Sequence, residues 1–386
     1  MSVEIRIGDC REMLRAMPDE SVHCVVTSPP YWGLRDYGVS GQLGMEPTLG
    51  EHIGVMVEVF REVRRVLKKD GTCWLNYGDC YATSPNGRSA AEVKAIGNDD
   101  RTFRDKPFST IGAIYDPEGG AKGGGARGSN KGNAAPPSGR VVAGGYLKAK
   151  DLCMMPNRLA IALQDDGWWV RSEIIWHKPN PMPESIKDRP GCSHEKIWLL
   201  SRSERYFYDH LAVRQPLAAA SYARLDQDID NQEGSDRANG GRKTNGKMKA
   251  VRFGGNKGGG DHGTAARRMS GRDWEPAEEM ASLRNVWTIP TAAFSDAHFA
   301  TFPPALVEPC IKAGCPKGGT VLDPFGGAGT VGLVADRLKR NAILLELNPA
   351  YAEIAERRIK QDAGMFGDVT SQPQEAPALL AAMGAA

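Results

Sequence analysis

The run Thr27-Ser28-Pro29-Pro30-Tyr31 puts a hydroxyl, two prolines and an aromatic ring in consecutive positions. Proline fixes its backbone and carries no amide hydrogen. The Pro29 carbonyl is therefore open to a substrate donor beside the Ser28 hydroxyl. Two acceptors converging on one small volume match an exocyclic amino group with its two N–H bonds. In a nucleobase that nitrogen is a poor nucleophile, because its lone pair is delocalised into the ring. Accepting both hydrogens favours a pyramidal nitrogen whose lone pair can attack a methyl group without a covalent intermediate. Tyr31 can hold the base by stacking, a contact that contributes about 1 to 3 kcal/mol per base in other systems. Such a pocket cannot reach a base inside a duplex, so the base has to be flipped out. By itself Pro-Pro-Tyr is equally a turn or a polyproline ligand. The buried strand just ahead of it favours a site.

A second constellation lies far along the chain, from Thr320 to Thr330, where a buried strand runs into Asp323-Pro324-Phe325-Gly326-Gly327-Ala328-Gly329 and opens a helix. Glycines let the backbone come close to a ligand, and the amides of a helix start face an electronegative group. The next strand ends at Glu346, an acid that can accept hydrogen bonds from both ribose hydroxyls of an adenosine. Gly327, Gly329 and Gly332 also spell GxGxxG, so a NAD-dependent oxidoreductase is a rival reading. Asp323 argues against it, since a carboxylate at the turn repels a pyrophosphate. The same carboxylate favours the sulfonium and amino cations of S-adenosylmethionine.

Alternating elements must position these two turns. The patterning predicts strands over Glu4–Ile7, His23–Val26 and Thr72–Tyr77 with helices over Arg11–Met17 and Gly54–Leu67. A helix at Pro156–Asp165 and strands at Trp168–His177 and Glu195–Ser201 follow. The last block reads as a helix over Pro303–Ala313, a strand over Thr320–Asp323, a helix over Gly329–Leu338, a strand over Asn341–Glu346 and a helix over Ala350–Lys360. Such alternation implies an α/β fold, a parallel sheet with helices on its faces.

The 386 residues, with 49 Lys+Arg against 47 Asp+Glu and 41% hydrophobic, exclude a disordered or fibrous chain. No apolar run reaches the roughly 18 to 20 residues of a membrane span, and Met1 to Arg6 has no signal pattern. The expectation is a cytoplasmic protein with no membrane partner. The eight cysteines fall in no CxxC pair and there is no HExxH, so no metal is expected. The near-neutral charge hides a local excess, because ten Lys/Arg face one acid between Arg237 and Arg272. That segment suits a polyanion or is a solvated loop. The Gly-rich stretch 84–145 either orders on nucleic acid or remains a tether.

Together these segments resemble the N4/N6 amino-methyltransferases of DNA, in the permuted class with the catalytic motif ahead of the cofactor motif. Thr27 to Tyr31 looks like the TSPPY motif, Asp323 to Thr330 like the cofactor loop, and Leu345-Glu346-Leu347-Asn348-Pro349 like the ribose motif. Phe299 to Pro303 resembles the segment that covers the methionine part of the cofactor. Gly8-Asp9-Cys10 and Ile175 to Pro179 also look like family segments. The resemblance implies a three-layer, Rossmann-like methyltransferase sheet, dependent on S-adenosylmethionine, with two Gly-rich basic insertions. It makes Ser28, Pro29, Pro30 and Tyr31 catalytic. Asp9, Thr301, Phe302, Asp323, Phe325, Gly327, Gly329, Thr330 and Glu346 become cofactor residues. Asp9 is alternatively a helix N-cap, His177 a packed edge residue, and Trp32 a pocket wall or core.

Serine at the first motif position is the form typical of cytosine-N4 enzymes in that family, with adenine-N6 the runner-up. The expected domains are a catalytic half over 2–83 and 146–214, a flexible insertion over 84–145 and a target-recognition insertion over 215–285. A cofactor half over 286–360 and a flexible tail over 361–386 complete them. Double-stranded DNA is the expected partner, with a cognate restriction endonuclease beside it. A noncatalytic DNA-binding protein is the remaining rival.

Overall fold

The computed structural model describes residues 1–33, 39–82, 147–148, 150–216, 280–292, 302–364 and 368–373. The chain divides into two units, Met1–Ala212 with Arg284–Ala386, and Val213–Leu283. In the second, β6 (Gln215–Pro216) pairs antiparallel with β7 (Met280–Ala281). The expected insertion over 84–145, and most of that over 215–285, lies outside the described residues.

The first unit is built on β1 (Ser2–Ile7), β2 (Val22–Thr27), β3 (Leu67–Tyr77), β4 (Trp169–His177), β5 (His194–Ser201), β8 (Val286–Thr288), β9 (Thr320–Asp323), β10 (Asn341–Glu346) and β11 (Asp368–Pro373). They form one sheet in the order β11-β1-β10-β9-β2-β3-β5-β4-β8. Every neighbouring pair is parallel except those made by β5, which runs against β3 and β4. The result is a mixed α/β fold with a large, mainly parallel sheet. Because β5 is reversed, it starts at the edge where its neighbours end.

Strand alternation divides the core between the two sheet faces. Val25, Cys73, Leu75, Leu200, Leu322 and Leu345 share one cluster with α1 (Cys10–Ala16), α2 (Leu49–Val66) and α3 (Met155–Asp165). Met56, Val59, Phe60 and Val63 of α2 recur at helical spacing and are fully buried. Each stabilises the fold by about 1.5 to 3 kcal/mol. A separate group, α4 (Pro304–Gly314), α5 (Thr330–Arg337) and α6 (Pro349–Ala363), packs against β1, β2, β3, β9, β10 and β11.

α2 begins five residues before the predicted start, because Thr48 and Glu51 form a reciprocal capping box. The tail also departs from expectation. α6 runs to Ala363, and Asp368–Pro373 extends the sheet as β11 beside β1. Val369 is the one buried side chain in that strand, so an edge ladder held by backbone bonds left no apolar pattern to read.

Candidate functional site

β2 and β9 are neighbours in the sheet, yet the chain leaves them in opposite directions, toward β3 from one and toward β10 from the other. Open α/β sheets bind ligands at such a switch, beyond the carboxyl ends of the strands. Thr27 and Asp323 are the last residues of these two strands, and the Thr27 hydroxyl donates to Asp323 Oδ1 at 2.7 Å. The two turns singled out in the sequence therefore start from one buried hydrogen bond. They line a single cavity together with Asn76, Lys178 and Glu195.

On the glycine side, Asp323 is 1% exposed and accepts the Phe325 amide at 3.1 Å. Burial pushes its carboxyl up to about 7. The Thr27 and Phe325 bonds pull against that rise, and the Glu346 charge adds to it. Glu346, at the end of β10, takes the Gly327 amide on Oε2 at 2.7 Å and the Asn348 amide on Oε1 at 2.8 Å. Burial raises its carboxyl too, against those backbone bonds. The electronegative group facing the Gly327 amide is thus this acid. The carboxylate keeps acceptor capacity for a further donor.

Gly327, at φ +50°, would place a Cβ in ordinary van der Waals contact, 3.8 Å from the Phe325 carbonyl oxygen. Gly329 differs. It caps α5 at φ +75°, and a Cβ there would lie 2.8 Å from that of Ala355. Close packing on α6 requires glycine at this position, and Gly329, unlike Gly327, is not among the residues that line the cavity. Thr330 lines the cavity while its hydroxyl accepts from Arg358 at 2.9 Å. Phe302 and Phe325 line it as well. Thr301 lies outside the described residues. Asp9 joins both of its readings, lining the cavity and capping α1 through the Arg11 amide at 2.8 Å. Burial works to raise its carboxyl, but the Arg11 bonds and charge outweigh it and hold it below the ordinary value.

On the acceptor side, Ser28, Pro29, Pro30 and Tyr31 all border the cavity. The Tyr31 ring rests on that of Tyr77, centroids 4.7 Å apart. Its hydroxyl lies 2.8 Å from Glu195 Oε2, and Asn76 Nδ2 donates to Tyr31 Oη at 2.8 Å and to Glu195 Oε2 at 3.0 Å. Lys178 Nζ pairs with Glu195 Oε1 and sits 4.4 Å from the centre of the Trp176 ring. Trp32 is core. Its amide donates to Tyr77 Oη, which meets His52 Nε2, while His52 Nδ1 meets Glu46. That buried chain fixes where the Ser-Pro-Pro turn leaves β2. His177 contacts Thr288 on the neighbouring strand.

Sequence reasoning missed Asn76 and Glu195. Asn76 carried a signal, a lone amide in the apolar run Cys73-Trp74-Leu75-Asn76-Tyr77. Glu195 carried none without the reversed direction of β5.

A ligand for this cavity must suit Asp323 and Glu346. Among the described residues neither carboxylate has a cationic partner within ion-pair distance. A phosphate would be repelled there, whereas an adenosine bearing a sulfonium meets hydroxyl acceptors at Glu346 and a compensating charge at Asp323. The residues present fit S-adenosylmethionine.

The chain is similar to known proteins along most of its length. The N6_N4_Mtase family, described as DNA methylase, matches residues 22–357. The type II methyltransferase M.XycI of Xanthomonas campestris pv. cyanopsidis is 38% identical over 353 residues, covering 92% of this chain and 86% of its own. M.SmaI of Serratia marcescens is 37% identical over 358 residues, covering 93% and 91%. The solved structure of TTHA0409 from Thermus thermophilus, complexed with S-adenosyl-L-methionine, aligns at TM-score 0.49 and 19% identity over 97% of this chain and 100% of that one. With the family matched over most of its length, the chain belongs to the N6/N4 DNA methylases.

Proposed function

We propose that this chain methylates the N4 amino group of a cytosine everted from duplex DNA. The observation that carries the reading is the Thr27–Asp323 hydrogen bond, because it joins the amine-accepting turn to the cofactor strand at one cavity. S-adenosylmethionine supplies a methyl group activated by its sulfonium. Ser28 Oγ and the Pro29 carbonyl accept the two amino hydrogens and hold the nitrogen lone pair out of the ring. Tyr31 and Pro30 border the base. Glu346 holds the ribose, Asp323 balances the cofactor's positive charge, and Phe302, Phe325 and Gly327 enclose it, with Asp9 at the rim.

The arrangement is the three-layer methyltransferase sheet in permuted order, with the acceptor turn at residues 27–31 and the glycine turn at 323–330. The basic segment within 215–285 is the target-recognition region, where Lys and Arg meet phosphates and base edges. A companion restriction endonuclease is the partner that the names of the relatives suggest.

Serine in place of an acid at position 28 supports cytosine over adenine. Adenine-N6 methylation is the second reading, since an adenine presents the same two amino hydrogens. Nucleoside mass spectrometry of mixed-sequence duplex DNA incubated with the protein and cofactor separates them. N4-methylcytosine supports the proposal, N6-methyladenine replaces it with the second reading, and unmodified DNA refutes both.

A further inference from the structure

A serine hydroxyl both donates and accepts, so Ser28 is an ambiguous partner for an amino group unless something fixes its hydrogen. The surrounding residues fix it. Glu195 Oε2 lies 2.8 Å from Tyr31 Oη. An ionised carboxylate only accepts, and Lys178 holds its other oxygen as an ion pair. The single phenol hydrogen therefore points at Glu195. Burial, and after it the Glu195 charge, push the Tyr31 phenol well up, which keeps that hydrogen in place.

With its hydrogen committed, the Tyr31 oxygen can only accept, and it takes Asn76 Nδ2 at 2.8 Å and Ser28 Oγ at 3.3 Å. The Ser28 hydrogen is thereby turned inward, Asn76 Nδ2 also donates to Ser28 Oγ over a long 3.4 Å, and the other lone pair is what remains for the cavity. We infer that Glu195, anchored by Lys178 and acting through Tyr31, is a positioning residue that makes Ser28 an acceptor-only group toward the substrate base. A base with a keto oxygen at the corresponding position, such as thymine, meets lone pair against lone pair and is rejected. The inference rests on the reading of Ser28 as the amino-group acceptor.

Its test uses the full-length protein with Glu195→Gln, Tyr31→Phe and the double variant. Single-turnover methyl transfer is measured beside the dissociation constants for cofactor and DNA. In Glu195→Gln the new side-chain amide donates toward Tyr31, which turns the phenol hydrogen toward Ser28 and the Ser28 hydrogen into the cavity. Glu195→Gln is expected to slow transfer about ten- to a hundredfold, with both dissociation constants unchanged. The double variant is expected to be no slower than Tyr31→Phe alone, because both break one chain. Transfer at the wild-type rate in either single variant overturns the inference, as do losses that multiply in the double variant. Should Glu195→Gln not fold, Tyr31→Phe alone decides by the same criterion. Failure of the underlying reading looks different: the wild type leaves cytosine unmodified, or Ser28→Ala transfers normally.

Discussion

The raised carboxyl of Asp323 makes cofactor affinity depend on pH. Burial holds it at about 7 in the free protein. A cation bound beside it favours the ionised form, so the value falls on binding. The sign follows from proton counting. Below about pH 7 the free protein carries a proton on Asp323 that must leave when the cofactor binds, so acid weakens binding. Above that pH no proton has to leave and affinity levels off. For a free value of about 7 that falls below the window on binding, the dissociation constant rises roughly eightfold from about pH 7.5 to about pH 6. An α-amino group, with its ordinary value of about 7.7 to 8.0, is largely protonated across that window and does not supply the trend. Titration calorimetry in buffers of different ionisation enthalpy measures both the dissociation constant and the protons released. Glu346 also has a raised carboxyl, and Asp323→Asn separates the two by flattening the profile. A wild-type constant that stays level over the window, or an Asp323→Asn variant with the same slope, refutes the reasoning.

Ser28→Ala removes an acceptor from the substrate and leaves the glycine turn intact. Methyl transfer is expected to fall about a hundredfold or more while calorimetric cofactor binding is unchanged. Gly329→Ala forces a side chain into the left-handed region at φ +75° and against Ala355 at 2.8 Å. Denaturant unfolding is expected to record a loss of about 1 to 3 kcal/mol.

The parallel core and both turns were legible because each strand is a short apolar run bounded by turn residues, and because Ser-Pro-Pro and the glycine turn have distinctive backbone chemistry. Asp368–Pro373 was not, since an edge strand with one buried side chain is held by its backbone. The same limit hid Val286–Thr288, three residues beside β4. The packing demand on Gly329 was not legible either, because the sequence cannot say that α6 occupies its Cβ space. Glu195 became visible only once the reversed β5 brought its first residues to the edge where β2 and β3 end. Local pattern reports which residues are buried and where turns fall, while the sharing of a cavity by Ser28, Asn76 and Glu195 is a property of strand order and direction.

The most direct measurement is modification-sensitive sequencing of DNA from cells expressing this chain, beside cells expressing Ser28→Ala. N4-methylcytosine at one recurrent short sequence in the first, and none in the second, is the predicted result. Unmodified DNA in both, or the same modification in both, contradicts the proposed meeting of amine and methyl group at the ends of β2 and β9.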